Sequence, residues 1–240
     1  MLHLELDVHT HTVSSGHYTQ DTVTDMAKES ARQGLKLLGI SEHGPAIPHS
    51  CTLSYFRGLA CAPAMRMGVR ILYGAEANII ENGFLDIPDD ILKNLDYCIA
   101  GMHLPCRRPG TTEQNTKALI TAMSNPYIHI IAHPDDVNYP VEYRLLVEAA
   151  MDYHVLLEIN NSSLSPRGYR GDASMVREND RAILELCEKY RYPVLLSSDS
   201  HGHASIGNFQ YALKLIHEIG FPEKLLLNNS AEDFIRFIRR

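Results

Sequence analysis

No stretch of this 240-residue chain approaches the roughly 18 apolar residues that a membrane-spanning helix needs. Nor does a basic segment followed by an apolar one stand at its beginning, so the expectation is no span, no leader and a cytoplasmic location. The five cysteines, Cys51, Cys61, Cys98, Cys106 and Cys187, include no C-x-x-C pair and no framework spacing. Such usage fits free thiols in a reducing compartment. The nucleotide fingerprints G-x-G-x-x-G and G-x-x-x-x-G-K-[ST] are missing, which removes sequence support for a nucleotide cofactor. A G-x-S-x-G nucleophile elbow is missing too. Positive charge is short: 22 Lys and Arg stand against 29 Asp and Glu, a formal net charge of −7. That balance argues against a broad electrostatic grip on nucleic acid. It leaves room for an anionic substrate, because bound divalent cations reverse the local field.

What is present is an ordinary globular composition, 45% hydrophobic and 21% charged, with no composition break, repeat or linker. One domain over residues 1–240 is expected. Seven short apolar runs read as strands: Leu4 to Val8, Leu35 to Ile40, Val69 to Gly74, Tyr97 to Ala100, Ile128 to Ala132, Val155 to Ile159 and Pro193 to Leu196. Runs such as VLLEI and PVLLSS are apolar on both faces, as parallel strands covered by helices must be. Helical patterns such as TEQNTKALITAM and DRAILELCEKY lie between them, and a last helix is expected from Asn229 or Ser230. The helix of segment 50–67 is the least regular. The alternation predicts an α/β fold with a parallel sheet. Seven units in this length suit a small barrel better than an open sheet.

Each expected strand delivers ligand-type or polar groups at its carboxyl end: DVHTHTVSSGH, ISEHG, YGAEANI, AGMHLP, IIAHPDD, LEINNSS and SSDSHGH. Parallel α/β folds gather ligands at that edge. His9 and His11, two apart on an extended segment, point to one side. Two imidazoles there suit a metal such as zinc. An isolated H-x-H is more often two unrelated surface histidines, but this one precedes a small-polar loop and His17. Asp199 and His201 repeat the spacing. Glu76 follows an apolar run, where an unpaired carboxylate is costly to bury; its two oxygens are able to bridge two metals, though a Lys or Arg partner is the plainer reading. His43, His103 and His133 would each, alone, pass for hydrogen-bonded core residues. Their agreement across independent loops is what points to a metal cluster. Asp135 and Asp136 read as caps of the next helix.

This ordered set of motifs, from DVHTHTVSSGH to SSDSH, resembles the polymerase and histidinol phosphatase (PHP) superfamily, and most of all its stand-alone phosphatases with three zinc ions. The resemblance implies a distorted seven-stranded (β/α)7 barrel with metals at the carboxyl edge of the strands. It implies His9, His11, Glu76 and Asp199 around one ion, with Glu76 bridging to a second that His103 and His133 also hold. His17, His43 and His201 would hold a third. Zinc is implied, and manganese or iron also suit a histidine-rich set.

The chemistry expected is hydrolysis of a phosphate ester by a hydroxide bridging two metals, with Glu76 and Asp199 at its centre. Rival barrels fit less well. Amidohydrolases often bridge their metals through a modified lysine, whereas no lysine ends a central strand here; TatD-like deoxyribonucleases lack the trio His17, His43 and His201. A non-catalytic metal-binding module is the alternative of another class. The substrate is expected to be a small phosphorylated molecule, a nucleic-acid end being the alternative. Arg107 and Arg108 in CRRPG, with Arg167 and Arg170 in SPRGYRG, are able to clamp phosphate or a second anionic group if they are more than solvated surface charges.

Overall fold

The computed structural model describes residues 3–17 and 19–239. Strands and helices alternate: β1 (Leu6–Asp7), α1 (Val23–Gln33), β2 (Leu37–His43), α2 (Leu53–Gly58), β3 (Met65–Arg66), β4 (Val69–Asn78), α3 (Asp89–Leu92) and β5 (Cys98–Gly101). Next in the chain come α4 (Thr112–Met123), β6 (Ile130–Ile131), α5 (Tyr143–Tyr153), β7 (Leu156–Asn160), α6 (Ala173–Tyr190), β8 (Val194–Ser197), α7 (Gln210–Ile219) and α8 (Ala231–Ile238). Local chemistry sets several ends. Thr22 and Asp25 form a reciprocal cap on α1, Thr111 and Gln114 form one on α4, and Ser230 accepts from the Asp233 amide to start α8.

Seven parallel strands run in the order β1-β2-β4-β5-β6-β7-β8, the expected nearly closed (β/α)7 barrel. The seam between β8 and β1 is thin. A parallel bridge joins Thr10 and Ser200, with the His11 amide donating to Ser200 O at 2.7 Å. At the opposite end Asn228 stitches both edges: Nδ2 donates to Leu6 O and Leu196 O, and Oδ1 accepts from the Leu196 amide.

Some strand limits differ from expectation. β2 runs to His43 and β4 to Asn78, so His43 and Glu76 lie within strands, paired in register, rather than in the loops beyond them. The ends of β6 are cut to two residues. Segment 50–67 holds α2, a 3-10 turn and β3, which pairs antiparallel with β4 through Met67 and Gly68, both at positive φ. Two such residues make the hairpin turn that matches strand twist. Among the described residues no helix is long and apolar enough to cross a membrane.

Strand alternation divides the core and builds the site. Inside the barrel, Leu6, Leu37, Leu72, Ile99, Ile130, Leu156 and Leu195 meet Phe234 of α8, which plugs the amino end of the strands. Outward-facing Ala75, Cys98, Ile131, Leu157 and Leu196 pack under helices. Each buried aliphatic side chain contributes about 1.5–3 kcal/mol. Tyr97 lies across the interior and donates to Val8 O at 2.6 Å. Gly39 and Gly74 make room for it: a Cβ on either would come within 2.5 Å of a Tyr97 atom. Two residues further along each strand, the same inner face turns polar. Leu72 and Gly74 lead to Glu76 and Asn78, Leu156 to Glu158 and Asn160, and Leu195 to Ser197 and Asp199.

Candidate metal centre

All nine expected ligands converge on the carboxyl end of the barrel. Glu76, fully buried, lies at the middle with its two oxygens facing different imidazoles. Oε1 lies 3.1 Å from His103 Nε2 and 2.9 Å from His133 Nε2. Oε2 lies 3.2 Å from His9 Nε2, 3.5 Å from His11 Nε2 and 2.7 Å from His43 Nδ1. Asp199 Oδ1 faces His9, His11 and His201 at 3.4–3.6 Å. His17 stands at the exposed rim, its ring centroid 4.7 Å from that of His43 and 4.9 Å from that of His201. A Cβ on Gly101 would lie 2.8 Å from Glu76 Oε1, so the floor of the site requires glycine there. His133 and Asp199 adopt positive φ, 33° and 50°. Strain of this kind persists where surrounding structure fixes a working geometry.

The electrostatics arise from so many titratable groups packed together. Burial disfavours a charged His9, yet Glu158, Glu76 and Asp199 overcome it and hold its pKa well above the ordinary value. His11 goes the other way: burial and the neighbouring His43 and His201 push it well down. Burial likewise lowers His103 to about 3 and His17 to about 4. Burial would raise the Glu76 and Asp199 carboxyls, but surrounding imidazoles, and Arg170 beside Asp199, hold both well below the carboxylate range. The two carboxylates are charged and His11, His17 and His103 neutral at pH 7, the states that ligands require. His9, kept protonated by the carboxylates around it, would have to release that proton to a bound cation.

His9 Nε2, both ring nitrogens of His11, His43 Nδ1, His103 Nε2 and Glu76 Oε2 are buried without a hydrogen-bond partner among the described residues. Native interiors satisfy buried polar atoms. A cluster of lone pairs aimed at one another fits divalent cations instead. Three groups are able to hold one: His9 with His11 and Asp199, His43 with Glu76 and His103, and His11 with His43 and His201, the donor atoms of each group lying within 4.8 Å of one another.

Several supporting residues were not foreseen from sequence. Glu158 Oε1 lies 2.6 Å from His9 Nδ1, while Oε2 accepts from the His133 amide, also at 2.6 Å, and Ser197 donates to Oε1. Asn78 Oδ1 lies 2.7 Å from His103 Nδ1. Both contacts fix an imidazole with Nε2 turned to the cluster. Arg170, one of the four arginines expected as anion clamps, is buried and donates to Asp199 Oδ2 at 2.6 Å, a contact not foreseen, with Asn160 donating to the same oxygen at 3.2 Å. Their grip leaves Oδ1 for the histidines. Asp135 and Asp136 do not cap α5, whose cap position is Glu142. Asp135 is buried and accepts from Ser163, and Asp136 from the Asn138 amide. Among the remaining arginines, Arg107 donates to Ile80 O at 2.9 Å, and Arg108 and Arg167 are exposed.

Above the cluster opens a cavity of about 530 Å³ lined by His17, His43, His103 and His201 on one side. Ile47, Met102, Leu104, Tyr169 and Arg170 are among its other walls. A family model described as the PHP domain matches residues 7–239. The chain belongs to the PHP family. Among the relatives of this PHP chain, a probable phosphatase of Clostridium novyi is 40% identical over 98% of the chain and 94% of its own length. A probable phosphatase of Caldicellulosiruptor bescii is also 40% identical, over 98% and 96%. The fold is shared with histidinol phosphate phosphatase of Lactococcus lactis, solved with zinc, L-histidinol and phosphate, at a TM-score of 0.62 and 19% identity over 91% of this chain and 94% of that one. A chain of an archaeal ribonuclease P with mature tRNA aligns with a TM-score of 0.63 and 14% identity over 97% and 90%. At these identities the two structures speak to fold alone.

Proposed function

We propose that this PHP chain is a metal-dependent phosphatase, working as one domain over its whole length, with two or three zinc, manganese or iron ions at the carboxyl end of the barrel. The observation that carries the reading is Glu76, whose two oxygens each face a separate set of imidazoles. The relatives named as probable phosphatases support it. So does the zinc and phosphate in the Lactococcus lactis enzyme of the same fold. His9, His11, Glu76 and Asp199 would hold one ion, Glu76, His103 and His133 a second, and His17, His43 and His201 a third. Bound ions of this kind supply an activated water at neutral pH and neutralise charge on the phosphoryl oxygens.

The chain's own residues do the rest. Glu158 and Asn78 hold His9 and His103 with their Nε2 atoms inward, removing the rotational choice that would otherwise cost binding energy. Arg170 and Asn160 tether one oxygen of Asp199 so that the other keeps a fixed direction. The cavity mouth admits a small ester, with Arg170 the cation nearest the cluster, and the five unpaired thiols fit work in a reducing cytoplasm. The test is turnover of a panel of phosphomonoesters by protein of known metal content, before and after chelation. Hydrolysis that disappears with the metal and returns on its addition is expected; none in any metal state would overturn the reading.

A further inference from the structure

Beside the metal cavity lies a second recess of about 770 Å³, separated from it by Leu104 and Pro105, which line both. Its walls carry three cations, Arg107, Arg108 and Lys117, against one carboxylate, Glu81. In a chain of formal net charge −7 this is a local reversal of sign. The recess is also built rather than draped. Arg107 is pinned at both ends: its Nη1 donates to Ile80 O at 2.9 Å, and its carbonyl accepts from Tyr139 Oη at 2.6 Å. Its Nε is buried with no hydrogen-bond partner among the described residues. Gly110 donates to Asn115 Oδ1, tying the loop to the first turns of α4, whose residue Gln114 also faces the recess. The amino end of that helix adds partial positive charge.

We infer that this recess is an anion subsite, and that the substrate is a phosphate ester whose leaving group carries a second anionic group seated against Arg107, Arg108 and Lys117. The inference rests on the phosphatase reading for the ester bond only. In that hydrolysis water delivers its oxygen to phosphorus, the bond from phosphorus to the ester oxygen breaks, and the departing alcohol takes a proton. The alcohol keeps its second anion, so the recess acts on selection and positioning. The two anions lie on opposite sides of the apolar Leu104–Pro105 ridge, which favours a carbon linker over a polar one.

Two measurements on the metal-loaded protein test this. The first compares kcat/KM for propyl phosphate with that for sulfopropyl phosphate, which adds only a weakly metal-binding anion. A charge-assisted contact accounts for about a tenfold or greater advantage to the sulfonate ester, through KM. The paired substitution Arg108→Glu with Lys117→Glu is expected to abolish that ratio. The second tracks maleimide labelling of Cys106, a half-buried residue in the recess wall, by peptide mass spectrometry. Propanedisulfonate is expected to slow labelling in the native chain and not in the charge-reversed one. Equal kcat/KM for the two esters, a ratio indifferent to charge reversal, or unprotected Cys106 would each overturn the subsite. Protected Cys106 with neither ester hydrolysed would uphold the subsite and count against the phosphatase reading instead.

Discussion

Replacing Glu76 with glutamine changes one oxygen to an amide nitrogen and removes one charge at the centre of the cluster. Whichever way the amide turns, its NH2 replaces an acceptor facing either the His103 and His133 pair or the His9, His11 and His43 trio, at 2.7–3.5 Å. In the metal-free protein the neutral His103 or His11 nitrogen can accept from it, and the amide keeps the volume of the carboxylate, so the fold tolerates the change. With metal, an anion between two cation positions is lost. Losing two charge-assisted contacts at about 1.5–3 kcal/mol each weakens ion binding by roughly 3–6 kcal/mol, about two to four powers of ten. Elemental analysis of the purified variant should therefore find depleted metal, and phosphomonoester turnover should fall by a hundredfold or more. Circular dichroism should match the parent. Near-normal metal content with near-normal turnover would refute the bridging geometry.

His17→Ala removes an exposed rim imidazole, so the variant should fold, lose about one metal equivalent and impair turnover; unchanged stoichiometry would mean a binuclear centre. Arg170→Met strands the Asp199 carboxylate in the interior, and breaking a buried pair of this kind costs about 3–5 kcal/mol. Denaturant titration should show the midpoint falling accordingly, and an unshifted midpoint would argue that Arg170 contributes nothing there. Burial pushes the Glu42 carboxyl from 4.5 to about 7 despite its Thr12 donors, so the folded state holds the proton longer than the unfolded chain. Its contribution is complete below pH 4.5 and lost as pH rises through about 7. Glu42→Gln should flatten that slope in urea unfolding of metal-free protein, and an unaltered slope would assign it to other groups.

The barrel and the ring of ligand-type residues are legible in the sequence because both rest on local patterns. His9 and His11 share a strand face, Glu76 follows an apolar run, and Asp199 repeats the H-x-H spacing. Residues that act across the barrel are not legible in the same way. Glu158 and His9 are separated by most of the chain, and no spacing announces that they meet. One signal was available: Glu158 ends an apolar run just as Glu76 does, and a buried carboxylate there demands a partner. Asp135 and Asp136 misled because a carboxylate before a helix is usually a cap, whereas here the chain runs on to Glu142 before α5 begins. The β3 hairpin escaped notice because Met67 carries its positive φ on a residue that rarely adopts it.

The thin seam between β1 and β8 gives the proposed metal centre a mechanical meaning. Among the described residues, ordinary sheet hydrogen bonding runs from strand to strand around the barrel and stops there, leaving one bridge at Thr10 and Ser200. His9 and His11 stand on one lip of that gap, Asp199 and His201 on the other. A cation held by both lips closes a covalent-like ring around almost the whole polypeptide. Ring closure grows costlier for a disordered chain as the ring lengthens, so a clasp at this position restricts the denatured ensemble more than one between neighbouring strands. On the proposed metal-dependent reading, latch and chemistry would share the same side chains, and an ion leaving the cluster would also unfasten the barrel.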